Sequence, residues 1–268
     1  MAQGVFPATK KDGTLYYRAS LTFRGKHISL GSYPTELFAF SAYREALRIL
    51  KDPALSLSGY SFTDALLSFE KIVVLFNFRD KGLYIKTPVY LRESFFEYWF
   101  SPDYVLKFDI DDLFYYSSHK IQRRGGHLFV TDYGSQTTIL SRYGIRAYAV
   151  PGRDFLFVNG DETDFRYANI RIINAYYGVE ETGDTLRPQY KARIHINGNF
   201  SLGTYPTAEE AAIAYNKACD MAHDAGLNRN YPQNYIEKLS PREYADIYSR
   251  LKLPKKYKSY VASAAKDH

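Results

Sequence analysis

The chain has very little cysteine: Cys219 is the only one among its 268 residues. A single thiol excludes an internal disulfide framework and a zinc site built from several thiolates. The sequence also lacks any run of about 18 apolar residues, the length that a membrane-spanning helix needs. Residues 1–13 lack the apolar core of a secretory signal. We therefore expect an intracellular, cytoplasmic protein without a membrane partner, and no residue pattern indicates a bound metal or cofactor.

Acidic residues are somewhat fewer than basic ones, with 29 Asp and Glu against 35 Lys and Arg, and the formal net charge is +6. This balance is compatible with a polyanionic partner but does not by itself indicate one. Aromatic residues, in contrast, reach 17%, including 26 Tyr and 18 Phe. Tyrosine in such numbers is typical of cores and interfaces, because the ring buries area while the hydroxyl keeps a hydrogen bond. Stacking on nucleic-acid bases is the alternative interpretation.

Two segments of the chain, residues 17–43 and 190–215, repeat one another. Both contain the pattern Ser-Leu-Gly-x-Tyr-Pro-Thr, at residues 29–35 and 201–207, and a Gly-Val pair precedes each copy. The other identical positions are Tyr17 and Tyr190, Ala19 and Ala192, Gly25 and Gly198, Ala39 and Ala211, Ala42 and Ala214, and Tyr43 and Tyr215. Such self-similarity indicates that one structural module occurs twice.

Each copy carries the pattern of a half-buried strand, a turn, a second strand and a helix. Apolar and polar residues alternate with a period of two, which predicts a strand with one buried and one open face. Turns are predicted at residues 24–26 and at the Asn197-Gly198 pair. Thr35 and Thr207 are predicted N-caps, and Glu210 is predicted to complete a capping box with Thr207. The module is therefore a small antiparallel sheet with a helix on one face.

The open face of each predicted sheet is polar and basic. Its residues are Arg18, Ser20, Thr22, Arg24 and Lys26 in the first copy, and Lys191, Arg193, His195 and Asn197 in the second. These strand positions include no Asp or Glu, whereas an ordinary solvated face mixes acids with bases. Arginine and small polar side chains suit base edges and phosphates, so we predict contact with DNA. A solvated sheet face without a ligand is the alternative.

Both repeats resemble the DNA-binding domain of the APETALA/ethylene-response-factor type. The matching pattern in the second repeat is Gly178-Val179, Ala192-Arg193-Ile194, Leu202-Gly203-Thr204-Tyr205 and Ala214-Tyr215. In that family a three-stranded sheet enters the major groove of double-stranded DNA and a helix braces it from behind. The resemblance implies groove-facing side chains at Ser20, Thr22, His27, Ser29, Arg193, His195, Asn199 and Ser201. The family's groove-facing tryptophans are absent here, so its base preference does not transfer.

Between the repeats, residues 108–174 resemble the HNH homing-endonuclease domain. The strongest match runs from Asn159-Gly160-Asp161 through Asp164 and Arg166 to Asn169-Ile170-Arg171, and it resembles that family's metal loop and following helix. The family's catalytic positions are instead occupied by Ser141, Leu156, Phe157 and Phe165, and only Asn169 is retained. Leucine and phenylalanine neither bind a cation nor accept a proton, so hydrolysis by the family mechanism is not expected. A relocated site built from His127, Asp154, Asp161 and Asp164 is the alternative.

Three further features complete the sequence-based prediction. A helix is predicted from Thr63, as N-cap, through Phe78, and another from Ser240 to about Leu253. The aromatic segment 91–100 is interpreted as core, with a self-association surface as the alternative. Additional contacts with phosphate are predicted at Lys120, Arg123, Arg124, Lys255 and Lys256.

Taken together, the sequence predicts an α+β protein in which two sheet-plus-helix modules flank a degenerate HNH-like (ββα) domain. The boundaries are 1–56 for the first module, 57–175 for the central region with its inactive HNH-like segment at 108–175, 176–236 for the second module and 237–268 for a C-terminal helix and basic tail. The predicted function is sequence-specific binding of double-stranded DNA by a nucleoid-associated, non-enzymatic relative of homing endonucleases. Its expected output is transcription regulation or control of a mobile element. A metal-dependent endonuclease and a protein-interaction scaffold are the alternatives.

Overall fold

The computed structural model describes residues 2–132, 134–146, 149–184, 186–227 and 231–264. Within these ranges the chain is a mixed α+β protein with several small three-stranded antiparallel sheets and six α-helices. The chain divides into two compact units. Unit 1 contains Met1–Ile139 and Asp161–Tyr167, and unit 2 contains Leu140–Gly160 and Ala168–His268.

Unit 1 begins with the first predicted module. Strands β1 (Val5–Thr9), β2 (Leu15–Phe23) and β3 (Lys26–Tyr33) form an antiparallel sheet in that order, and helix α1 (Glu36–Lys51) covers one face. The side chain of Thr35 caps α1 by accepting a hydrogen bond from the N–H of Phe38, as predicted. Alternate residues of β2 are buried against α1, among them Ala19 and Leu21. The first copy of the module is therefore confirmed as a three-stranded sheet with a helix.

The rest of unit 1 consists of a helix and two more sheets, with a second, short helix between the sheets. Its elements are α2 (Phe69–Lys81), β4 (Val89–Leu91), β5 (Phe95–Ser101), β6 (Tyr104–Asp109), α3 (Leu113–Ser118), β7 (Ile121–Arg124), β8 (His127–Asp132) and β9 (Ser135–Thr138). The sheet orders are β4-β5-β6 and β7-β8-β9. Phe96, Tyr98 and Trp99 are buried, and Phe96 stacks on Phe108. These three aromatic residues are thus part of the core, as the core interpretation predicts.

The predicted start of α2 at Thr63 is wrong. The helix begins at Phe69, and the hydroxyl of Ser68 caps it by accepting a hydrogen bond from the N–H of Lys71. The N–H groups of Leu66 and Leu67 instead donate to the carboxylate of Glu45 on α1, at 2.9 and 3.1 Å. Because these amides are bound to a distant side chain, residues 63–67 stay outside the helix.

Helices α1 and α2 share one apolar core, and Arg79 connects their C-terminal ends. Buried residues of both helices, such as Ile49, Ile72 and Phe76, belong to the same cluster. The guanidinium of Arg79 on α2 donates to the carbonyl oxygens of Ile49, Asp52 and Leu55, all at 2.9 Å. Carbonyls at the end of a helix have no partner within it, so a cation there is stabilising.

Unit 2 opens with a short hairpin where the HNH resemblance implied a metal loop and a helix. Strand β10 (Phe155–Phe157) pairs with β11 (Ile170–Ile172), and a single 3₁₀ turn, Tyr167–Asn169, precedes β11. The predicted helix through Asn169 is therefore wrong. The N–H of Val158 donates to the carbonyl oxygen of Asn169 at 2.7 Å, and the N–H of Asn159 donates to its side-chain oxygen at 2.8 Å. These bonds hold Asn169 at the base of the hairpin.

The second module follows with the same architecture. Strands β12 (Val179–Asp184), β13 (Arg187–His195) and β14 (Asn199–Tyr205) form an antiparallel sheet covered by α4 (Ala208–Asp224). Thr207 caps α4 as predicted, accepting a hydrogen bond from the N–H of Glu210. The structure does not support the predicted capping box, because the carboxylate of Glu210 pairs with Arg250 at 2.7 Å.

The repeated glycines and tyrosines perform the same structural role in both modules. Gly4 and Gly178 have positive φ values of 73° and 67°. A Cβ atom at either position would lie 2.2 Å from the ring of Tyr43 or Tyr215, respectively. A side chain is therefore excluded by both conformation and space. This packing explains why each Gly-Val pair is matched by a tyrosine near the middle of the following helix.

Two helices complete unit 2, α5 (Pro241–Arg250) and α6 (Lys255–Ala264). The predicted helix at Ser240 is confirmed with a capping box to Glu243, but it ends at Arg250. The lysine-rich segment that follows is not an unstructured end, because Lys255 begins α6. The hydroxyl of Tyr257 donates to the carbonyl oxygen of Ala218 on α4 at 2.6 Å. Within the described ranges, no helix combines the length and apolarity needed to cross a membrane.

Candidate nucleic-acid interface

The first module presents a polar face on the side of the sheet away from α1. Residues that lie opposite one another there are Arg18 and Ser32, Ser20 and Ser29, and Thr22 and His27. Strand β1 adds Phe6, which lies opposite Arg18 and is 55% exposed. The outward positions of these three described strands carry no Asp or Glu, in agreement with the prediction.

Arg18 is the charged centre of this face. Its Nη2 and Nε atoms donate to the hydroxyl of Tyr16 at 2.7 and 3.2 Å, and its guanidinium lies 5.5 Å from the Tyr16 ring centroid. The two residues are outward neighbours on β2, so the tyrosine supports the guanidinium from within the same face. No acid among the described residues forms an ion pair with Arg18. Its positive charge is therefore available to a ligand.

Arg24 and Lys26 were predicted to contact DNA, but the structure gives both side chains other partners. Nη1 of Arg24 donates to the carbonyl oxygens of Phe78 and Arg79 at 3.3 and 3.1 Å. The ammonium of Lys26 lies 5.3 Å from the ring centroid of Tyr84. Arg24 thus turns to the C-terminal end of α2, where the helix dipole is negative, and Lys26 turns to Tyr84 just beyond that helix. Arg24 and Lys26 therefore do not take part in the polar face around Arg18.

The second module has a similar open face with one important difference. Outward residues are Lys191, Arg193, His195, Asn199, Ser201 and Thr204. The first strand of the sheet, β12, adds Glu180 opposite Lys191, and its carboxylate pairs with Arg193 at 2.7 Å. The prediction of an acid-free face is therefore wrong for this module, because β12 had not been assigned from the sequence. Asn197 occupies the hairpin tip with a positive φ of 46° and is exposed.

Two arginines that the sequence did not single out lie beside this second face. Arg146 and Arg153 both donate to the carboxylate of Asp154, which is 1% exposed. Burial alone would raise the pKa of Asp154, but hydrogen bonds from Arg153 and from the N–H of Val150, together with the charges of both arginines, lower it. The only signal in the sequence was the local Arg-Asp pair at 153–154, which is too common to indicate a site.

The residues that the HNH resemblance places at catalytic positions have structural contacts in this protein. Phe165 is buried and stacks on Phe108 with ring centroids 5.6 Å apart. Leu156 and Phe157 pair with β11 in the hairpin, and Ser141 lies in a 3₁₀ turn, Ile139–Tyr143.

The acids of the relocated-site alternative are each bound to a cation. Besides Asp154, Asp161 pairs with Lys107 at 2.8 Å, and the buried Asp164 pairs with Arg166 at 2.6 Å. The hydrogen bond from Lys107 is the largest cause of a pKa lowered to about 2 at Asp161, followed by those from Thr163. Across the part of the chain that the structure describes, no group of three or more His, Cys, Asp or Glu side chains could hold a metal ion.

The five other predicted phosphate contacts lie at or just before β7 and in α6. Lys120 pairs with Glu70, Arg123 lies over the ring of Tyr104, and Nη2 of Arg124 donates to Gln136 at 2.8 Å. Lys255 and Lys256 are exposed in the first turn of α6. The structure therefore places none of these five cations on the sheet faces described above.

No family model, curated protein or solved structure matches this chain. The two resemblances therefore depend only on the motifs given above.

Proposed function

We propose that this protein binds double-stranded DNA through the open sheet faces of its two modules and does not hydrolyse it by the HNH mechanism. The observation that carries the proposal is the face of the first module. Three strands present hydroxyls, an imidazole and Arg18 without any acid among their outward positions. Such a surface repels cations, attracts a polyanion and offers donors and acceptors that fit base edges in the major groove.

The open faces of the two modules differ in uncompensated positive charge, and we therefore expect them to contribute differently to DNA binding. Arg18 has no acidic partner among the described residues, whereas Arg193 is partly neutralised by Glu180. We therefore assign most of the base-specific contact to the first module and a weaker, supporting contact to the second. Two modules in one chain act on the same duplex at high effective concentration, so their affinities reinforce each other. Because their outward residues differ, the target site is asymmetric.

The test begins with a selection of bound sequences from random duplex DNA. Dissociation constants for the selected duplex are then measured at several salt concentrations for the wild type, Arg18→Gln, Arg193→Gln and the double variant. Arg18→Gln is expected to lose about 1–3 kcal/mol of binding if it contacts a base edge, with relaxed specificity at that position. Arg44→Gln, on the exposed side of α1, removes the same charge from the opposite side of the module and serves as the matched control.

Four results would contradict the proposal. An unchanged affinity in the double variant, or binding that does not weaken with salt, would favour a protein-binding surface instead. Metal-dependent nicking of the duplex that is lost in Asp161→Ala would show that the chain is a nuclease. Equal losses in Arg18→Gln and Arg44→Gln would show that only overall charge matters.

A further inference from the structure

A groove of about 340 Å³ lies in unit 2, beside the open face of the second sheet. We call it the arginine groove, and its polar lining consists of Arg146, Arg153, Glu180, Arg193, His195 and Asn199. The segment that carries the first two arginines is tied to β12, because the side chain of Asn174 donates to the carbonyl oxygen of Arg153 and accepts from the N–H of Glu181. The groove is thus a built feature of this unit.

Arg146 is the most buried of the three arginines that line the groove. Its side chain is only 11% exposed, and its guanidinium lies 5.6 Å from the ring centroid of Tyr177. Nη2 donates to Asp154 at 2.5 Å, whereas Nη1 is buried and has no hydrogen-bond partner within the described ranges. A buried donor without an acceptor is costly, so an oxygen atom of a ligand would be stabilised at this position.

Asp154 holds the two inner arginines in place without neutralising both. One carboxylate accepts hydrogen bonds from Arg146, Arg153 and the N–H of Val150. Its lowered pKa keeps it ionised at neutral pH. Two guanidinium groups therefore share a single negative charge, and a net positive charge remains at the base of the groove.

Glu180 and Arg193 form a replaceable pair at the mouth of the groove. Their side chains are 34% and 45% exposed and lie 2.7 Å apart. An exposed ion pair of this kind contributes little free energy, about 0–1 kcal/mol. An incoming anion can take the place of the carboxylate on Arg193. The three arginines, offset by Asp154 and Glu180, leave about one positive charge, which matches one phosphodiester group.

We propose that the arginine groove binds a phosphate group, and that in the DNA complex this group is a backbone phosphate of the duplex. This second part rests on the function proposed above. In that complex Arg193 contacts the DNA backbone. Arg146 and Arg153 then also belong to the DNA-binding surface, although they lie outside the repeated module. Free inorganic phosphate has the same anionic oxygens as a backbone phosphate, so the experiment tests the duplex and inorganic phosphate in separate arms.

Two variants change the groove in opposite directions. Arg153→Gln removes a half-exposed cation and is expected to weaken binding of the selected duplex about fivefold to tenfold, with the salt slope reduced by about 0.9. Glu180→Gln frees Arg193 and is expected to tighten binding about threefold. A gain of affinity cannot result from partial unfolding, so Glu180→Gln keeps the test valid even if Arg153→Gln is destabilised. Arg171→Gln, an exposed arginine on β11 outside the groove, is the matched control.

The second arm measures binding of inorganic phosphate to the same four proteins by titration calorimetry. Weaker binding by Arg153→Gln and tighter binding by Glu180→Gln would support a phosphate site, even if the wild type bound no duplex and the proposed function failed. If the wild type binds duplex but both groove variants behave like Arg171→Gln in both arms, the groove proposal is wrong while DNA binding stands. Absence of phosphate binding together with absence of duplex binding would also overturn it.

Discussion

Replacing Arg24 by glutamine distinguishes the role that the sequence predicts from the role that the structure gives it. The sequence places Arg24 on the DNA-binding face, whereas the structure places it at the C-terminal end of α2. Its two hydrogen bonds to main-chain carbonyls contribute about 1 kcal/mol together, since the side chain is partly exposed, and the helix dipole adds about 0.3–1 kcal/mol. We therefore expect Arg24→Gln to lower the free energy of unfolding of unit 1 by about 1–2 kcal/mol.

The loss is expected to appear in two measurements. The thermal midpoint of unit 1 should fall by about 2–8 °C, given about 2–4 °C per kcal/mol for a unit of this size. Hydrogen exchange should accelerate in the last turn of α2, near Phe78 and Arg79, because its carbonyls lose their external partner. Affinity for the selected duplex should stay within about twofold of the wild type, since a distant charge is screened by salt.

Arg18→Gln is expected to show the opposite result to Arg24→Gln: the stability of unit 1 is retained and the affinity for DNA is lost. The reasoning is refuted if Arg24→Gln shows unchanged stability and exchange but weakened DNA binding. That result would mean that the arginine leaves the helix end and contacts the nucleic acid.

Three further predictions concern packing, pH dependence and thiol reactivity. Gly4→Ala is expected to destabilise unit 1 by about 2–4 kcal/mol in denaturant titrations, because the new Cβ would meet the ring of Tyr43 and adopt a positive φ; a loss below 0.5 kcal/mol would contradict the described packing. The lowered pKa of Asp161, about 2 against 3.8 in the unfolded chain, gives stability that is fully present above about pH 4 and lost as the pH falls through 2. Asp161→Asn should therefore destabilise unit 1 at pH 7 by about 0.5–1 kcal/mol, given its partial exposure, and the difference from the wild type should shrink between pH 4 and pH 2. Burial raises the pKa of the Cys219 thiol to about 12, so a thiol reagent at pH 8 should label it only after denaturation, and rapid labelling of the folded protein would contradict its place in the core.

Features encoded by short stretches of sequence were the ones that could be predicted. The period of two in both repeats identified β2 and β13, and the caps at Thr35, Thr207 and Ser240 fixed the starts of three helices. These signals depend on backbone geometry within a few residues, so a single sequence suffices to read them.

Features that depend on a distant partner could not be predicted. The start of α2 is set by Glu45, which lies more than 20 residues away and binds the amides before the helix. The partner of Arg193 is on β12, a strand whose Glu180-Glu181 pair breaks the expected alternation. Likewise, Arg24 resembled a groove contact because its other partner, the end of α2, becomes its neighbour only in the folded chain.

The arginine hydrogen bonds at the C-terminal ends of α1 and α2 determine how much of unit 1 must accompany the first module when it is transferred to another protein. Arg24 reaches from the sheet to the end of α2, and Arg79 reaches from α2 to the end of α1, above a shared apolar core. A fragment cut after residue 56 would lose both connections and expose the apolar side of α1 to water. A portable version of this module therefore has to extend at least to Gly82, the C-cap of α2. A repeat of about 30 residues in sequence thus corresponds to a transferable piece well over twice as long.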